Sequence, residues 1–454
     1  MTAKTRTVAL LASLLVAGAA PASFAAATAV AAAAVAAAAD TTPAGPVTFT
    51  RDVLPILQDN CQTCHRPGGD NYTGMVAPMS LTTFDEVRPW ARAIAKAVES
   101  KVMPPWFAAP EFHGVFANER ALTDAEIDIV VRWAKNGAPM GDPADAPPAR
   151  AFDDQQGWRI GQPDLVVTAP RYFVPDDVDT HYANHQVTLT PDILPESRFI
   201  QAIEWRGGSE VVHHIVGYAY LPGTDQERGN GYGLGSIAPG EEPMRFPAGY
   251  AKLLVAGSTV VFNMHYHKEK GPGTGKWDAS QVAFKFYPKD AEIAHFVDHN
   301  AIGNSGFQLP PGHASWKVGA ARLFEEPTTL LALHPHMHLR GKTATYTAFY
   351  PDGTTEVILH VPRFDFNWQT DYSFLEPKRL PAGTRLEYEA LFDNSAGNAA
   401  NPNPAIAVDP GRETWDEMML GYITYSRSDA QALTVDDVLA EHFPQNRADE
   451  HSQE

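Results

Sequence analysis

Apolar and polar residues recur along this chain with two different periods, and the change of period divides it. Between residues 46 and 142 the stretches RDVLPILQDN, DEVRPWARAIAKAVES and TDAEIDIVVRWAKNG carry apolar residues at helical spacing. Thr50 is the expected N-cap of the first helix. Thr123 with Glu126 forms a capping box for the third, and Gly137 stops it. From Gln162 onward the period falls to two. RFIQAIEW, EVVHHIVGYAYL, STVVFNMHYH, QVAFKFYP, TATYTAFY, TEVILHV, RLEYEALF and MLGYITYS are separated by Gly, Pro, Asn and Asp. Short alternating runs of this kind predict antiparallel sandwiches, two of about 140 residues each. The expected plan is a helical domain over 46–142, a Pro- and Ala-rich linker over 143–160, sandwiches over 161–300 and 301–430, and a tail over 431–454.

The N-terminus changes the setting. Lys4 and Arg6 precede an apolar run from Val8 to Ala20 and small residues near Ala25 and Ala27, the layout of a secretory signal peptide. With the Ala-rich tract that follows, it accounts for residues 1–39, and the mature chain is expected to be periplasmic or secreted. Cleavage takes two of the 35 basic residues, leaving 33 against 54 acidic ones, a balance of −21. Such acidity argues against nucleic acid and anionic membranes as partners. No later segment is apolar for long enough to suggest stable membrane insertion.

The chain has two cysteines, Cys61 and Cys64, in the string CQTCH. Two thiols at this spacing with an adjacent histidine form the attachment motif for a c-type haem, with His65 as the proximal iron ligand. In an exported chain a disulfide between the two is the alternative. The three helices around the motif suit a small all-α cytochrome c domain. A thioether on the distal side would make the haem an electron carrier. Met103, in KVMPPW, is the candidate, with Met75, Met79 and Met140 as rivals and His113 as a weaker one.

The strand region carries a second chemistry. In LALHPHMHLRGK, His334, His336 and His338 stand at every second position, so on a strand they share a face about 7 Å apart. His213 and His214 are adjacent in VVHHIVGYAY, and His265 and His267 sit in VVFNMHYH. Neighbouring histidines on a regular strand face opposite ways; a bulge would turn both to one ion. Imidazole and thioether without further cysteine favour copper, and zinc on three histidines is the alternative.

From about 160 to 430 these elements resemble the copper type II ascorbate-dependent monooxygenases, which include the peptidylglycine alpha-hydroxylating and dopamine beta-monooxygenases. That family orders an HH pair, a later HY histidine, an HxH pair and a methionine in a DEM segment. Here these are His213 and His214, His265, His336 and His338, and Met418. The resemblance implies two jelly-roll-like β-sandwich domains with one copper each. It makes His213, His214 and His265 the electron-transfer site, and His336, His338 and Met418 the site where O2 reacts. His334 stands where the peptide-amidating branch has a carboxylate-binding arginine, so a peptide substrate is not implied. The animal members also carry disulfides that this chain lacks.

Two expectations follow. One is a periplasmic copper monooxygenase that hydroxylates a small organic substrate, with two coppers, one haem c and an external periplasmic electron donor. The other is a non-catalytic haem and copper carrier.

Overall fold

In a computed structural model of the protein the described residues are 45–67, 77–152, 157–224, 231–238, 241–427 and 432–443. The signal peptide, the Ala-rich tract and Met75 lie outside them. The chain is mostly β-sheet with few helices. The helices are α1 (Leu54–Asn60), α2 (Phe84–Val87), α3 (Ala91–Glu99), α4 (Asp124–Lys135) and α5 (Val435–His442).

Thr123 and Glu126 close the predicted capping box on α4. Thr50 is not a cap: it lies inside the first turn, and its hydroxyl donates to the Met140 carbonyl at 3.2 Å. The second predicted helix is broken into α2 and α3 by a 3-10 turn at Arg88–Trp90, because Pro89 has no N–H to continue the ladder. Val53, Leu57, Val87, Val130 and Trp133 fill the core of these helices. Among the described residues no helix is long and apolar enough to cross a membrane.

The first half of the β region holds β1 (Leu165–Thr168), β2 (Tyr172–Val174), β3 (Thr180–Thr188), β4 (Arg198–Arg206), β5 (Val212–Tyr220) and β6 (Tyr232–Ile237). It continues with β7 (Met244–Arg245), β8 (Tyr250–Leu254), β9 (Thr259–His267), β10 (Lys276–Asp278) and β11 (Gln281–Phe286). The second half holds β12 (His295–Gly303), β13 (Trp316–Phe324), β14 (Thr328–His336) and β15 (Gly341–Phe349). It ends with β16 (Thr355–Val361), β17 (Tyr372–Leu380), β18 (Thr384–Phe392) and β19 (Leu420–Arg427).

Two four-stranded sheets, β3-β9-β5-β6 and β13-β18-β15-β16, each cover part of one long sheet in the order β1-β11-β4-β8-β12-β19-β14-β17. The halves therefore form two sandwiches with separate cores, one around Trp205 and Phe262, the other around Tyr346 and Tyr388. They share a sheet because β8 and β12 pair in parallel, Tyr250 with His295 and Ala251 with Phe296. β12 straddles residue 300 and pairs along its length with β19, so the second sandwich begins before the boundary that the pattern suggested.

A segment inside the 46–142 range leaves the helices and joins the second sandwich. Trp106, Phe107, Phe112 and Phe116 are buried in that sandwich's core. The Leu375 N–H donates to the Val115 carbonyl and the Ala117 N–H to the Ser373 carbonyl, with a bridge between Phe116 and Phe374. This segment thus acts as an added strand that covers the open edge of β17.

Candidate metal and redox centre

The first histidine group forms because β5 is irregular where it meets β9. The register passes from Val212↔Tyr266 to His214↔His265, so His213 is the extra residue of a bulge. The bulge turns both adjacent imidazoles toward His265. The Nδ1 atoms of His213 and His265 each lie 3.3 Å from Nδ1 of His214. Nitrogens about 2.0 Å from one ion at a tetrahedral angle are about 3.3 Å apart, so this is the spacing a metal needs. Hydrogen bonding alone cannot satisfy the trio, since His214 Nδ1 has one proton or one lone pair to share between two neighbours.

Electrostatics favour the lone pairs. Burial pushes His213 down to about 4 and His265 down to about 3, each helped by nearby histidines. Burial also lowers His214, as do His265, His213, His336 and His338, so both groups share one electrostatic neighbourhood. All three rings are therefore neutral near pH 7. Nε2 of His265 is buried without a hydrogen-bond partner. The Tyr182 ring stacks on His265, with centroids 4.3 Å apart and planes at 9°, and fixes its orientation.

The second group sits where β14 ends. The rings of His336 and His338 are 5.4 Å apart and perpendicular. Nδ1 of His336 lies 2.6 Å from Oε1 of Gln369, and Nδ1 of His338 lies 3.3 Å from the Asp416 carbonyl. Both partners are acceptors, so each Nδ1 carries the proton and each Nε2 keeps its lone pair. Burial pushes His336 down to about 3 and lowers His338.

The DEM segment is fastened to this pair. The fully buried Glu417 carboxylate accepts N–H bonds from His338 at 2.9 Å, Arg340 at 2.6 Å and Met418 at 3.2 Å. Burial pushes Glu417 up to about 7, and the three donors oppose that shift. The buried Arg340 guanidinium donates to the Trp415 carbonyl and to Asn394, pinning the same loop. The β14–β19 register ends with His336 opposite Leu420, and just beyond it Oε2 of Glu417 accepts from both the His338 and the Met418 N–H, which ties the backbone of the half-buried Met418 to that of His338. Gly341 is required beside the pair. A Cβ there would lie 2.7 Å from Met337 Cβ and 2.7 Å from the Phe364 ring.

His334 joins neither group. Its Nδ1 lies 3.5 Å from Glu241 and 3.4 Å from Asp371, and although burial disfavours its charge, these carboxylates raise it overall. His267 is exposed, with its ring 6.3 Å from that of His213. Several residues had no signal in the strand pattern: Gln369, Phe366 and Asp371 come from the β16–β17 loop, and Glu241 from the other sandwich. Glu417 and Arg340 lie within the DEM and HMHLRG strings, and their place beside the candidate ligands is the signal by which the sequence could have pointed to them.

Around CQTCH, Cys61 is the C-cap of α1 and Cys64 lies in the turn that follows. Burial pushes the Cys61 thiol up to about 12, so it is neutral near pH 7. Nδ1 of His65 lies 3.2 Å from the Met79 carbonyl, which leaves Nε2 with its lone pair. The contact is made by the Met79 backbone carbonyl and places that residue beside His65. Met103 is 42% exposed beyond α3 and Met140 is 43% exposed.

No protein-family model matches the chain, and no curated protein matches it. Among solved structures it overlaps broad bean stain virus, at 9% identity and TM-score 0.29, over 62% of this chain and 95% of that one. It also overlaps the major capsid protein P2 of bacteriophage PM2, at 12% identity and TM-score 0.25, over 59% of this chain and 99% of that one. The cowpea mosaic virus top component is similar at 10% identity and TM-score 0.28, over 63% of this chain and 97% of that one. Likeness at this level assigns neither a fold family nor an activity.

Proposed function

We propose that this chain is a periplasmic copper monooxygenase that hydroxylates a C–H bond of a small organic substrate with O2 and draws electrons through a covalent c-type haem. The observation that carries the reading is the pair of distinct imidazole groups. One presents three converging Nδ1 atoms, and the other presents two Nε2 lone pairs beside the DEM methionine segment. Three neutral imidazoles, and two imidazoles with a thioether, suit copper better than hard cations or thiolate-bound zinc. Copper bound there would supply one-electron redox chemistry and a place for O2, and haem on Cys61, Cys64 and His65 would supply the electrons.

The protein's own contribution is positioning. Gln369 and the Asp416 carbonyl fix the tautomers of His336 and His338, and Glu417 ties the His338 backbone to that of Met418. The buried, low-pKa rings resist protonation, so ligand nitrogens stay available across the neutral range.

The test is metal analysis followed by isotope labelling. One iron and two coppers per chain are expected by mass spectrometry. With 18O2 and a panel of substrates, the reduced protein should place 18O in a hydroxylated product. Normal haem oxidation with no labelled product across the panel would favour the carrier reading. Hydroxylation that survives Met418→Ala would refute the assignment of the oxygen site.

A further inference from the structure

The loop of residues 362–371, between β16 and β17, contains no proposed ligand, yet it reaches both histidine groups. The Phe366 ring lies 6.2 Å from that of His213, with planes at 21°, and 5.9 Å from that of His338, at 81°. Both separations fall within aromatic contact, one as an offset stack and the other edge to face. Phe366 therefore touches one imidazole of each group.

Its position is tied to a second element of the site. Nε2 of Gln369 donates to the Phe366 carbonyl at 3.0 Å, and Oε1 of the same amide takes the His336 proton at 2.6 Å. Displacing Phe366 thus pulls on the group that orients His336. The loop is anchored by the residues that follow the added strand on β17. Nδ2 of Asn118 donates to the Asp371 carbonyl at 2.6 Å, and the Ser373 N–H donates to Oδ1 of Asn118 at 3.1 Å. The Arg120 guanidinium lies 5.6 Å from the Trp368 ring and pairs with Glu242 of the first sandwich.

We infer that Phe366 is a positioning residue shared by the two histidine groups, holding them apart at a set distance, and that Asn118 and Arg120 hold it there. The inference rests on the copper reading above. It makes the N-terminal segment part of the copper centre as well as a tether for the haem domain. A plain packing role would predict that any side chain filling the volume serves equally.

The full-length protein carrying two Cu(II) per chain is examined by electron paramagnetic resonance, as wild type and as Phe366→Ala, Phe366→Leu and Phe366→Tyr. Spin–spin coupling grows as the inverse cube of the separation. In Phe366→Ala the two groups should close together, with greater dipolar broadening at unchanged copper content and unchanged integrated signal. Phe366→Tyr should restore the wild-type spectrum and Phe366→Leu should not. Asn118→Ala and Arg120→Ala should shift the spectrum in the same direction as Phe366→Ala by a smaller amount. In turnover, Phe366→Ala should lower kcat about 10- to 100-fold with little change in KM.

Full copper content with unchanged spectra in Phe366→Ala would overturn the inference while leaving the copper reading intact. If Phe366→Ala does not fold, a wild-type spectrum in Phe366→Leu would overturn it equally. A wild-type chain that takes up no copper would overturn both. Full copper and the expected spectral changes without hydroxylation would sink only the oxygenase activity.

Discussion

Removing the Glu417 carboxylate tests how the second histidine pair is built. That carboxylate is fully buried and accepts three backbone N–H bonds, from His338, Arg340 and Met418. In Glu417→Ala all three donors lose their partner. A buried donor left unmade costs about 1–3 kcal/mol, and some relaxation is expected, so the total should be about 3–5 kcal/mol. Glu417→Gln keeps one acceptor oxygen. It can serve His338 and Met418 together, as Oε2 does now, but then turns its NH2 toward the Arg340 N–H. Its cost should be about 1–3 kcal/mol. Denaturant unfolding followed by near-UV circular dichroism measures both. Because His338 and Met418 would drift apart, copper affinity of this pair should fall about 10- to 100-fold. Chelator competition reads that loss, with the His213 group as an internal control. A Glu417→Ala protein within about 0.5 kcal/mol of wild type would refute the reasoning, because substitutions without a structural role fall in that range.

Lys252 offers a pH test away from the ligands. Burial pushes its ammonium from 10.5 down to about 8, with Asp298 opposing the shift, and Nζ donates to the Val297 carbonyl at 3.2 Å. Below pH 8 it is charged in both states and its burial costs about 3 kcal/mol. Between pH 8 and 10.5 the unfolded chain holds the proton and the folded one does not, so this residue makes stability rise with pH. Lys252→Met should flatten that rise and raise stability at pH 7; an identical pH–stability curve would disprove it. Gly341→Ala should push the His338 turn off Phe364 and Met337, costing about 1–3 kcal/mol and weakening the second copper, as read by thermal unfolding and metal titration. His214→Ala removes the hub of the first trio, so bound copper should drop from two to one per chain by mass spectrometry. Full retention would show that the trio is not a site.

Local pattern carried much of the architecture. The change from helical to alternating periodicity near residue 160 separates helices from sandwiches, and the capping box at Thr123 and Glu126 formed as its spacing requires. The HxH pair was legible because strand geometry places every second side chain on one face. The CQTCH string was legible because its residues are adjacent in the chain. Each of these is decided within a few residues of chain.

The remainder depended on long-range pairing. Whether His213 and His214 share a face turned on a bulge set by the partner strand β9, and nothing in VVHHIV fixes that register. Phe366 and Gln369 reach the histidines because the loop after β16 folds back over the end of β14, and Glu241 reaches His334 from the other sandwich. Trp106 to Ala117 read as part of the helical domain, yet their aromatic side chains are buried in the core of the second sandwich and their backbone pairs with β17. Periodicity records which side of its own element a residue occupies. What lies opposite is chosen by the packing of the whole chain.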